Sequence, residues 1–153
     1  MMTQNPQEVQ LKEVVEKLEQ ALLTPVLAGE LTGWVTTVQD AADDLDEQIR
    51  PFLDVLHAEY KEIVKADNEL MSKVEQLVAE EKKFLLQLEE FRRELHLLGE
   101  RAPTVFSDEA KVADERAKVE KEGMKLLTQI KRQQMAVSTW LSEAVYRDRG
   151  PVD

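Results

Sequence analysis

The sequence predicts an all-α fold, an up-down-up-down four-helix bundle with a short first helix and three long ones. Three observations carry that expectation. Apolar residues recur at alternating spacings of four and three along most of the chain, the period of one helix face. The five glycines and five prolines in 153 residues fall mostly at the ends of these runs, leaving long stretches of helix formers between them. The connections between runs are short, which forces successive helices to be antiparallel neighbours.

The first helix, α1, is expected over residues 6–23. Asn5 suits the cap, Pro6 the first helical position, and Glu8 can close a capping box. Leu11, Val15, Leu18 and Leu22 then form one apolar face until Thr24-Pro25 stops the run. The second helix, α2, is expected over 30–64, with a seam of Leu31, Val35, Val38, Ala42, Leu45, Ile49, Phe52, Leu56 and Ile63. Its phase survives Pro51, which predicts one helix kinked near Arg50, the alternative being a split into two.

Asp67-Asn68 supplies a capping signal for α3, expected over 67–98 with Gly99 as its C-terminal glycine. Its seam runs Leu70, Val74, Leu77, Glu81, Phe84, Leu88, Phe91, Leu95, Leu98, and Glu81 is its one polar member. Ser107, followed by Asp108 and Glu109, suits the start of α4, expected over 107–147. Val112, Val119, Leu126, Ile130, Val137 and Ala144 form its stripe, broadened by Leu127, Trp140 and Leu141 and interrupted by Arg116, Gly123 and Gln133. A single domain of this length buries about 70% of the surface its unfolded chain exposes, and α3 alone would span about 45 Å.

Composition narrows the function classes. A formal net charge of −11 opposes nucleic-acid backbones and anionic bilayers as main partners. The lysines and arginine at 111, 118, 121, 125, 131 and 132 give α4 a mixed-charge face, most simply a solvated one. The absence of cysteine removes disulfides, thiolate metal sites and thiol nucleophiles. No signal peptide or membrane-spanning run is legible, so a cytoplasmic location is expected.

No phosphate loop, dinucleotide fingerprint, HExxH or GxSxG motif is present. With two histidines, acid–base catalysis and transition-metal sites are hard to build. His57 follows Asp54 by three residues and shares its side of α2, a distant imitation of the Glu-x-x-His motif of diiron bundles, whereas His96 has Arg93 where the acid should stand. Glu81 demands an account, because a lone carboxylate in an apolar seam is costly unless protonated, paired or wet. Reflection through residues 65–68 sets Glu81 level with Phe52, one turn from Asp54. Pairing with Lys82, Lys83, Arg116 or Lys125 is the structural explanation, and a residual polar pocket the functional one.

Several stretches resemble the bacterial hemerythrin-like (HHE cation-binding) proteins. The C-terminal WLSEAVYRDRGPVD, the segment Leu70 to Phe91 and the segment Leu45 to Phe52 are similar to the end of the fourth helix, the third helix and the approach to the second-helix ligands of that family. The resemblance implies a four-helix bundle, and it implies a missing diiron site. Where the family carries a His-Phe pair, a histidine within Ala-Glu-His and a His-x-x-x-Glu, this chain has Pro51-Phe52, Ala79-Glu80-Glu81, and Gln133 with Val137. Simple reflection through 99–106, however, sets Glu81 beside Gly123 and Met124 rather than Gln133.

The expected function is therefore a non-catalytic, interaction or regulatory bundle without cofactor, with a protein partner or a homodimer contact over Met71, Val78, Leu85 and Leu86. The rival is a metal protein with a carboxylate-rich site of Glu81, Asp54, His57 and Glu80, where hard oxygen ligands favour Mn, Mg or Fe. A coiled-coil component of a larger assembly is the third reading.

Overall fold

The computed structural model describes residues 6–27, 29–105 and 109–148. Among these, α1 spans Pro6–Leu23, α2 Leu31–Ala66, α3 Met71–Val105 and α4 Glu109–Asp148, with a 3-10 turn at Asn68–Leu70 and no strand. The protein is an all-α four-helix bundle with a short first helix. Cross-helix pairs fix the directions: Trp34 bonds back to Ala21, Arg92 to Asp43, Gln133 to Leu77 and Lys131 to Glu19. Each neighbouring pair of helices is antiparallel, and α1 closes the ring against α4.

The period of the apolar residues dictates the core. Leu11, Val15, Leu18 and Leu22 are buried, as are the α2 seam from Leu31 to Ile49 and the α4 stripe from Val112 to Ala144. Side chains from all four helices join one hydrophobic cluster, and each large aliphatic member contributes about 1.5–3 kcal/mol by leaving water.

Beyond Pro51 the pattern departs from expectation. Leu53, Leu56, Tyr60 and Val64 are buried, while Phe52 and Ile63 are only partly so. The four-three rhythm continues from Ile49 through Leu53, so the seam rotates by one residue. Helix α2 is unbroken across Pro51, which settles the split alternative. The proline ring is exposed, so the Glu47 carbonyl that loses its helical donor lies on the solvent side.

The larger correction concerns α3. Gly99 does not close it: the helix continues through Gly99 and Pro103 to Val105. Ala102 is fully buried one turn beyond Leu98, so core packing carries the helix past its glycine. Those added turns move the point about which α3 and α4 reflect. Phe91 accordingly faces Gly123, and Gln133 reaches Leu77, one turn from Glu81. The register conflict in the sequence came from ending α3 too early.

At its start, the Asp67 side chain accepts a hydrogen bond from Glu69 N at 3.0 Å and caps the 3-10 turn that leads into α3. The expected caps at Asn5 and Ser107 lie outside the described residues.

Candidate functional site

The polar residues that interrupt the apolar seams come to defined partners. Glu81 is 2% exposed and the one buried charged residue of the described core. Its partner is none of the four expected cations. His57 Nε2 lies 2.6 Å from Glu81 Oε1 and 3.3 Å from Oε2. The sequence missed this pairing because α2 runs on to Ala66 and α3 begins only at Met71, so the turn between them lies later in the chain than expected. That displacement brings Glu81 level with His57, about one turn further along α2 than Phe52.

The expected cations are engaged elsewhere or turned outward. Lys83 pairs with Glu80 at 3.0 Å, Lys82 and Lys125 are exposed, and Arg116 serves α1. Asp54 is exposed and takes no part in the pair. Of the expected carboxylate-rich set, the structure brings together Glu81 and His57 but not Asp54 or Glu80. Among the described residues, no group of three or more His, Asp or Glu side chains is placed to hold a metal ion. His96 stands on the open face of α3, 3.1 Å from Glu100.

Two aromatic residues wall the pair. The Tyr60 ring lies 5.9 Å from the His57 ring and meets Trp140 of α4 edge-on at 5.8 Å. Tyr60 is almost wholly buried, and its hydroxyl has no hydrogen-bond partner among the described residues. Sequence reasoning missed it. The signal was available in the four-residue step from Leu56, which the expected seam passed over in favour of Ile63.

Burial sets the electrostatics. Loss of solvent pushes the Glu81 carboxyl above its ordinary range, and the hydrogen bond and charge of His57 pull it partly back. Tyr60 is pushed up first by burial and then by the negative charges of Glu81 and Glu59. Glu59 is itself raised, by burial and by Glu8 of α1.

The other interruptions are architectural. Arg116 donates to Leu22 O at 3.1 Å and to Thr24 O at 2.9 Å, and pairs with Glu120 at 2.7 Å. Its guanidinium stacks 5.6 Å from the Trp34 ring centroid. Helix α1 has no basic residue in its last turn, so α4 supplies the charge that its carbonyl end favours. Gln133 Nε2 donates to Leu77 O at 3.0 Å. Gly123 is buried, and a Cβ there would stand 2.5 Å and 2.9 Å from the Leu22 methyls.

Comparison with protein-family models, with curated proteins and with solved structures finds no match. The likeness to hemerythrin-like proteins therefore rests on the sequence stretches alone. What the structure establishes is the four-helix frame and its paired, buried carboxylate.

Of the expected contact residues on α3, Val78 and Leu85 pack at the edge of the core, whereas Met71 and Leu86 remain exposed at 46% and 60%. Among the described residues, no helix is long and apolar enough to cross a membrane.

Proposed function

We propose that this protein is a non-catalytic helical bundle that works through protein contact, a hemerythrin-like frame without the diiron ligand set, in the cytoplasm. The observation that carries this reading is the use made of the polar seam residues. Glu81, Arg116 and Gln133 each satisfy a group on another helix, and Gly123 makes room for one. Residues spent on architecture leave a surface, rather than a cleft, as the working part. The homodimer contact narrows to the exposed Met71 and Leu86 of α3, because Val78 and Leu85 are committed to the core. The acidic charge of −11 disfavours nucleic acid as the partner.

Light scattering over a concentration series tests the homodimer contact, with Met71→Glu and Leu86→Glu as variants. Association abolished by both supports it; a strictly monomeric chain at high concentration removes it. Metal analysis of protein purified without chelator or affinity tag tests the non-metal reading. Stoichiometric transition metal lost in Glu81→Gln would replace it with the carboxylate-site alternative.

A further inference from the structure

Helix α3 carries its exposed apolar residues on one line. Met71, Leu86 and Leu97 are its three exposed large hydrophobic side chains among the described residues, Leu97 at 49%. Eight exposed positions run from Met71 to Leu97 in steps of four, four, three, four, three, four and four residues. At about 3.6 residues per turn they fall within about a quarter of the helix circumference, on the side away from the buried Leu77, Phe84, Leu88 and Leu95. The steps read the same from either end.

The side chains on this line complement their own reverse. Laid antiparallel on itself about a two-fold axis between Lys82 and Leu86, the line sets Met71 against Leu97, Glu75 against Arg93, Ala79 against Glu89 and Lys82 against Leu86. The Lys82 stem covers the leucine, and its ammonium comes within one turn of Glu89 on the other copy. No charge stands opposite its like. Two acids and two bases leave the line neutral in a chain of net charge −11, so two copies meet here without the repulsion of their other surfaces.

Those four charges are also uncommitted. Glu75, Lys82, Glu89 and Arg93 make no side-chain hydrogen bond or ion pair among the described residues, whereas their neighbours Lys83, Arg92 and His96 pair with Glu80, Asp43 and Glu100. We propose that a second copy of this chain docks on the line, α3 against α3, antiparallel and two-fold symmetric. This contact presupposes the homodimer reading above and fixes its register. Leu97 joins Met71 and Leu86, and Glu75 with Arg93 selects the antiparallel direction, since a parallel pair would set each charge against itself.

Glu75→Arg and Arg93→Glu exchange exposed helix-forming residues, so both variants keep the fold. In sedimentation equilibrium each alone should weaken dimerisation about tenfold, because two pairs per dimer turn repulsive. The double variant Glu75→Arg/Arg93→Glu should return to within about threefold of the parent, its pairs restored in reverse. A double variant as weak as the singles, or singles that dimerise like the parent, overturns this register; the homodimer reading survives it if Leu86→Glu still abolishes association. A monomeric parent overturns both.

A second measurement reads the direction itself. The chain has no cysteine, so Glu100→Cys carries one spin label per copy. Antiparallel packing should hold the two labels about 50 Å apart, twice the helical rise from the two-fold axis to residue 100. A separation below about 20 Å means parallel helices side by side and overturns the proposal.

Discussion

The Glu81 carboxylate and the His57 imidazole meet at 2.6 Å from opposite sides of the protein surface: the glutamate side chain is 3% exposed and the histidine side chain 41%. This inequality makes the pair asymmetric. Each partner removed alone leaves the other in a different solvent, and the costs follow from that.

Replacing His57 with alanine strands a carboxylate in the core. The variant should lose about 3 kcal/mol, the usual penalty for breaking a buried pair from one side. Replacing Glu81 with leucine instead leaves a half-exposed imidazole that water can satisfy and completes the apolar stripe. Stability there should be unchanged or higher. Urea denaturation of both variants checks the asymmetry, and equal losses would refute it.

The pH dependence has a definite sign. Glu81 holds its proton more tightly in the folded chain than in the unfolded one, because burial raises it more than His57 lowers it. Its contribution is therefore fully favourable below the unfolded carboxyl value of about 4.3 and is lost as pH rises through the folded value. The stability of Glu81→Gln relative to the parent should increase with pH over that window. Melting temperatures of the two proteins, recorded side by side, give the difference free of the surface carboxylates they share.

Arg116 ties α4 to the end of α1 through two carbonyls and an aromatic face. Arg116→Met should cost about 2 kcal/mol, from a charge-assisted hydrogen-bond set and a helix-end charge. Arg116→Lys should recover only part, since an ammonium cannot span both carbonyls while stacking on Trp34. Amide exchange in the last turn of α1 should accelerate in the methionine variant before the rest of the bundle is affected.

Two helical glycines should respond in opposite directions to alanine. At Gly99 a Cβ meets Val35 at 3.6 Å and Gln39 at 3.8 Å, ordinary contact distances. The gain in helix propensity, about 1 kcal/mol, should therefore be realised. At Gly123 the methyl would press on the fully buried Leu22 and stand 3.1 Å from the Phe91 ring, so overpacking of about 1–3 kcal/mol should exceed that gain. Thermal melts of Gly99→Ala and Gly123→Ala should shift up and down respectively.

The fold was largely legible because the apolar period is strong: the α1 face and the α4 stripe are buried as expected. What misled was local punctuation. Gly99 has the look of a helix stop, yet Ala102 beyond it is buried, and tertiary packing outweighs a glycine's modest cost. That single misplaced end shifted the α4 register by more than two turns and hid the nearness of Gln133 to the Glu81 level. The site suffered the same way. Glu81 was recognisable as anomalous from its seam position, but its partner depended on where the α2–α3 turn lies. Tyr60 carried no polar anomaly at all, since a tyrosine on a buried face is ordinary until its hydroxyl is found without an acceptor.

The notch at Gly123 also bears on the order in which the molecule can be completed. Leu22, which fills it, leaves the ribosome roughly a hundred residues before the glycine does. At about 5–20 residues per second, α1 spends several seconds or more with that surface unclaimed. During this interval α1 can bury the face it shares with α2, while the face it shares with α4 waits. The leucine end of α1 is thus a provisional element throughout translation, fastened only when the final helix arrives with both the space and the guanidinium that hold it.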